Sequence, residues 1–432
     1  MRRILSSFVF SVALLCPWLA HAQTSPSNCS TLSQNIWVRD QLRTYYYWNE
    51  FLPSNVSPTS FNSPEAYLEA VRYRPIDNSY SYIVAASTND AFYNDSQFVG
   101  FGFRQEIGQT DIRILQVYGD SPAMEAGLSR GDRITAVNGQ GVETLVANGT
   151  IVSAFGAPVE GVVVEIAFET PAGEQKQARM VKRRVTIPTV SGTRVVEVDG
   201  RRVGYLTFQN FVEPSIAALD AAFTALKEAG ATELVLDVRY NGGGLVGVAV
   251  HLASLIGGSR TAGQVMLNYV HNDRVGPILN KQTRFSDALP QSLNLERLFV
   301  ITTRSSASAS ELIINSLRPF IPVIVVGDTT YGKPVGQYQF PFCEKYLVPV
   351  AFSLRNANDE GDFFDGITPD CRAGDDFFHQ LGDTEEASFA EAITFIRSGA
   401  CSRRAEETSR AQRARRASVP RTVGWAALLN AQ

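Results

Sequence analysis

Residues 298–320 narrow the possible folds more than any other stretch. The apolar run Leu-Phe-Val-Ile-Thr at 298–302 passes into Thr-Arg-Ser-Ser-Ala-Ser-Ala-Ser-Glu and then into an apolar helical run at 312–320. Strand, small-residue turn and helix in so short a span form a unit that buries its apolar parts in a layered α/β core. One serine of the turn therefore sits just ahead of a helix N-terminus. There, free main-chain N–H groups and the positive end of the helix dipole can stabilise an oxyanion formed beside the hydroxyl.

A serine hydroxyl is unreactive until a base takes its proton. No histidine is well placed by sequence for that task. The next strand, 321–327, ends in Asp328-Thr-Thr-Tyr-Gly-Lys-Pro-Val-Gly-Gln337, which puts Lys333 in a loop at the neighbouring strand end. A lysine whose pKa is lowered by burial can serve as base at neutral pH.

The run Ser-Ala-Ser-Ala-Ser-Glu, then Tyr-Gly-Lys with a glutamine four residues on, resembles the S41 serine proteases, the C-terminal (tail-specific) processing peptidases. The resemblance implies that Ser308, directly before Ala-Ser-Glu, is the nucleophile, that Lys333 is the general base and that Gln337 orients it. Ser306 and Ser310 are then neighbours. Three spaced elements agree, whereas a serine-rich turn alone says little. In the commoner family form glycine follows the lysine; Pro334 stands there in this chain, fixing its own φ and restricting Lys333.

At 432 residues the chain exceeds one ordinary core, so two or three domains are expected. A hydrophobic share of 44% with 19% charged describes a globular protein, and a formal charge of −4 gives no reason to expect nucleic-acid binding. Residues 1–22 read as a secretory signal: Arg2 and Arg3, an apolar run, then Ala20-His21-Ala22 as cleavage site, so that the mature chain begins at Gln23 and is exported, to a periplasm. Cys16 lacks the small residue that lipidation requires ahead of it, and no later stretch is long enough to span a bilayer. Four cysteines remain, and they allow three pairings. The expected pairs are Cys343 with Cys371 and Cys29 with Cys401, with free thiols as the alternative; no cysteine or histidine cluster suggests a metal.

Residues 23–95 read as a helical N-terminal module, with Trp37, Leu42, Tyr46, Trp48 and Phe51 on roughly one face and Ser63-Pro64-Glu65 opening a second helix. Its aromatic cluster reads as packing against the next domain. Residues 96–190 resemble a PDZ domain, a small barrel-like sheet with helices. Gly100-Phe101-Gly102-Phe103 looks like the carboxylate-binding loop, and Ser121-Pro-Ala-Met-Glu-Ala-Gly127 followed by Asn138-Gly139 looks like helix, turn and hairpin. Glycine-permitted N–H groups can hold a peptide's terminal carboxylate while the peptide adds as a strand, and Phe101 and Phe103 are expected as apolar lips of that groove.

Residues 191–385 are expected to form a ClpP/crotonase-like α/β catalytic domain, giving an α+β multidomain chain. Asp237-Val-Arg-Tyr-Asn-Gly-Gly-Gly244 opens a helix without the spacing of a phosphate loop, and it matches the family's Arg-x-Asn-x-Gly-Gly segment. The resemblance implies an oxyanion hole from the N–H groups of Gly243, with Gly244 as second choice, and Ala309. Asp237 and Arg239 read as structural supports. Asp365-Gly-Ile-Thr-Pro-Asp370 resembles the family's closing segment. Sequence order leaves a Ser-His-Asp triad open, because triads are defined in space. Residues 386–432 hold one helix, 387–397, and an arginine-bearing tail.

Together these features lead to the expectation of a serine endopeptidase needing no metal or organic cofactor. Its substrates would be protein or peptide C-termini presented by the PDZ groove. A catalytically silent PDZ adaptor and a Ser/Lys hydrolase of small esters or amides are the alternatives.

Overall fold

The computed structural model describes residues 25–402. The expected export signal and nearly all of the arginine-bearing tail lie outside them.

The site-bearing domain is built on a six-stranded sheet in the spatial order Val190–Val198, Arg201–Phe208, Glu233–Asp237, Leu298–Thr302, Val323–Gly327, Cys371–Arg372. All pairs after the first are parallel. Four of these strands are buried along their whole length, and the three longest carry the apolar cores Leu-Val-Leu, Leu-Phe-Val-Ile and Val-Ile-Val-Val. Side chains alternate between two cores. Leu234, Leu236, Leu298, Val300 and Val325 face the helices Ser215–Glu228, Val246–Gly257 and Ala309–Leu317. Val235, Phe299, Ile301 and Val326 face the helix Ala387–Ser398 on the other side. Two helical layers thus cover the sheet, and the loops at the carboxyl ends of its strands converge on one rim.

A second, antiparallel sheet holds Lys281–Arg284, Val265–His271, Val350–Arg355 and Val335–Gln337. The N-terminal module has the expected helices Thr31–Tyr45 and Pro64–Val71, the latter capped by Ser63, whose hydroxyl accepts from Ala66 N at 3.1 Å. It also contributes a strand, Tyr82–Ala85, that pairs with Lys345–Val348 of the following domain. The aromatic cluster packs not on the next domain in the chain but on the one after it: Trp37, Tyr46 and Trp48 share one core with Phe342, Leu347 and Val350, because the strand Tyr82–Ala85 ties the module to Lys345–Val348.

The domain expected to be PDZ-like has the strands Phe103–Ile107, Ile112–Val117, Arg133–Val137, Val163–Glu169 and Gln175–Val181 with three short helices. A two-stranded stalk, Gln97–Gly100 with Arg183–Thr186, carries the chain in and out. Phe101 and Phe103 are not lips of a groove. They are only 2% and 4% exposed and lie in the domain's own core against Phe155, because the turn at Gly102 (φ +88) leaves both rings on the inner face.

The disulfide pairing differs from the one expected: Cys29 is joined to Cys343 and Cys371 to Cys401. The first helix packs on the hairpin whose turn holds Cys343, and the last helix packs beneath the strand Cys371–Arg372, so each end of the chain meets a different part of the domain.

Candidate active site

Ser308 stands at the N-terminus of the helix Ala309–Leu317 with φ +56, in the region that non-glycine residues seldom adopt. Small side chains permit the turn and hydrogen bonds hold it. Ser306 Oγ donates to the Val238 carbonyl at 2.8 Å. Ser310 Oγ donates to the Asn241 carbonyl at 2.9 Å, and Ala307 N donates to the same oxygen at 3.0 Å. The neighbouring serines are thus buried braces, and Ser308 is the one that lines the rim cavity.

Glu311, three residues on, is fully buried. Its carboxylate accepts from Ser308 N at 2.9 Å, Lys333 N at 2.8 Å, Gly332 N at 2.7 Å and Thr330 Oγ1 at 2.5 Å. One side chain therefore fixes the serine turn against the lysine loop. Burial pushes its pKa up, opposed by these four donors. Nothing in the serine motif itself marks Glu311 for this role.

Lys333 is 9% exposed, and its Nζ donates to Gln337 Oε1 at 2.5 Å. Gln337 Nε2 donates in turn to the carbonyls of Tyr80 at 2.5 Å and Val348 at 3.1 Å. Burial lowers the Lys333 pKa to about 8, against the opposing pull of the Asp77 and Glu311 carboxylates. Ser308, Lys333 and Gln337 line one cavity of about 120 Å³ with Gly244, Leu312, Phe352 and other apolar side chains.

Gly243 (φ +97) lies against the serine turn: a Cβ there would come within 2.7 Å of Ser308 Cβ and 2.8 Å of Ala309 N. Its N–H donates to Asn241 Oδ1 at 2.9 Å. Gly244, which lines the cavity, follows it. Arg239 is buried in a fork with Asp237 and reaches Glu386 at 2.7 Å, beneath this loop. Two PDZ arginines reach the same loop from the other side: Arg104 donates to the Tyr240 carbonyl at 2.5 Å and Arg130 to the Tyr240 hydroxyl at 2.7 Å. None of the three described histidines lines the cavity; His251 pairs with Asp220, His271 with Tyr338 and Asn280, and His379 with Asp376. The PDZ loop at Gly100–Phe103 lies apart from the cavity lining.

Residues 202–373 match the model of peptidase family S41, residues 33–82 that of the peptidase S41 N-terminal domain, and residues 113–147 that of a PDZ domain. Residues 202–373 belong to peptidase family S41. A putative S41 protease from Bacteroides fragilis NCTC 9343 superposes with a TM-score of 0.68 at 25% identity, covering 84% of this chain and 97% of that one. The carboxy-terminal processing protease CtpB of Bacillus subtilis is 28% identical over 277 residues, 62% of this chain and 53% of that protein. The chloroplastic carboxyl-terminal-processing peptidase 1 of Arabidopsis thaliana is 28% identical over 267 residues, 59% and 52% of the two chains. The chain thus spans about half the length of the curated relatives it matches. Among its described residues no helix is long and apolar enough to cross a membrane.

Proposed function

We propose that this S41 chain is an exported serine endopeptidase that cuts protein substrates near their C-termini. The observation that carries the reading is a buried lysine held by a clamped glutamine on the same cavity as a serine at a helix mouth, where burial lowers the lysine's pKa. Ser308 Oγ attacks the peptide carbonyl carbon while neutral Lys333 takes the hydroxyl proton. The oxyanion forms at the N–H groups of Ala309 and of Gly243 once Asn241 releases it, with Gly244 as the alternative donor. The C–N bond then breaks, Lys333 returns the proton to the leaving amine, and water hydrolyses the ester with the same lysine as base.

Export accords with the leader-like residues 1–22 and the two disulfides. Substrate tails join the PDZ domain along Phe103–Ile107, an edge strand of its sheet, with the carboxylate at the loop around Gly100 and Gly102. The test is incubation of the mature chain with an unstructured protein and mass-spectrometric mapping of the products. Cleavage lost in both Ser308→Ala and Lys333→Ala supports the reading. Tail peptides bound without any cleavage would instead make the chain an adaptor.

A further inference from the structure

The pair Lys333 and Gln337 is held in place by a segment of the N-terminal module 257 positions away from the glutamine. The Tyr80 carbonyl accepts from Gln337 Nε2 at 2.5 Å, and the Tyr80 hydroxyl donates to the Gly332 carbonyl at 2.7 Å. Lys333 Nζ stands 5.7 Å from the centroid of the Tyr80 ring. Tyr80 is itself fixed by Asp77, a fully buried carboxylate. Asp77 Oδ1 accepts from Tyr80 N at 2.9 Å and Ser81 N at 3.0 Å; Oδ2 accepts from Ser81 Oγ at 2.6 Å and Tyr46 OH at 2.8 Å.

A glutamine amide has two faces of opposite character, one accepting and one donating. Because carbonyls of Tyr80 and Val348 take its donors, the acceptor is left facing the lysine. A lysine that gives one N–H to a fixed acceptor has its remaining directions defined, which a base needs if its lone pair is to meet a hydroxyl. Removing the Tyr80 contacts frees both the amide and the Gly332 peptide next to the lysine.

We propose that Tyr80, held in its turn by Asp77, is a positioning residue of the Ser308/Lys333 site, so that the N-terminal module is a working part of the active site. The inference rests on the dyad proposed above. The two carboxylates that bear on Lys333 are Asp77 and Glu311, and both favour its ammonium form. Replacing Asp77 by a neutral amide therefore makes the lysine easier to deprotonate, whatever else it does.

The test is phosphonylation of the mature chain by a small fluorophosphonate, read as adduct mass against time on both sides of pH 8. In that step the Oγ–P bond forms, the P–F bond breaks, fluoride leaves and Lys333 takes the hydroxyl proton. Tyr80→Phe, which keeps ring and carbonyl and loses the bond to Gly332, is expected to slow the reaction roughly tenfold per folded molecule. Asp77→Asn is expected to move the acid limb of the rate profile to lower pH by up to about one unit. A brace that merely packs would leave the Tyr80→Phe rate per folded molecule unchanged, and that result overturns the inference whatever the Asp77→Asn limb does. If Asp77→Asn does not fold, the Tyr80→Phe rate decides alone. An adduct on Ser308→Ala at the normal rate is a different failure, that of the dyad itself.

Discussion

Lys333 donates to Gln337 through a hydrogen bond of 2.5 Å. The glutamine is neutral and puts no net charge beside the amine, whose pKa burial lowers to about 8. Gln337→Glu would keep the geometry and add a negative charge beside Nζ. The acid limb of kcat/KM should then move to higher pH, with activity at neutral pH falling at least about tenfold. Gln337→Ala should lower kcat without moving the limb upward. A pH profile of both variants separates the two effects.

Burial of the lysine costs stability while the amine is protonated. The folded-state pKa of about 8 lies below the ordinary value of 10.5, so between these two pH values the unfolded chain binds more protons than the folded one. Stability should therefore rise with pH across that window. Lys333→Met removes the titration and should be inactive yet more stable than the wild type near neutral pH, by an amount on the order of 2 kcal/mol. Urea titrations at pH 7 and pH 10 check this; the gap should narrow at the higher pH.

Glu311 ties the serine turn to the lysine loop through the main-chain amides of Ser308 and Lys333. Glu311→Gln would turn an amide NH₂ towards donors that now meet a carboxylate. Stability should drop by about 2–3 kcal/mol, since bonds to charged acceptors are the stronger ones, and activity per folded molecule should drop more than tenfold. Thermal unfolding together with single-turnover kinetics tests the pair of effects.

Much of this site was legible because its chemistry is local in sequence. The strand 298–302 and the small-residue turn fold as read, the helix after them begins at Ala309 and stops at Leu317 instead of running over 312–320, and Lys333 and Gln337 sit four residues apart on one loop and strand. What could not be read depends on packing between distant segments. Asp77 and Tyr80 carry no local sign of their meeting with residues 332–337, and the disulfides follow which helix docks on which sheet face. Alternation with glycine at Phe101 and Phe103 reads equally well as a lip or as an inner face, and burial decides for the inner face.

Cys29–Cys343 closes a loop of 314 residues and anchors the module that carries Tyr80. Removing it by Cys29→Ser with Cys343→Ser should cost about 2–5 kcal/mol of stability. If the module supports the lysine, proteolytic activity should decline at temperatures well below the main unfolding transition. Activity and circular dichroism followed in parallel through a thermal ramp would reveal that separation.

The most direct measurement is acid-quench mass spectrometry of the mature chain during turnover of an unstructured protein, with peptide mapping of any acyl adduct. An ester on Ser308 in the wild type, absent from Lys333→Met and from Ser308→Ala, is the expected result. An ester on another residue, or undiminished cleavage by Ser308→Ala, would contradict the Ser308/Lys333 mechanism.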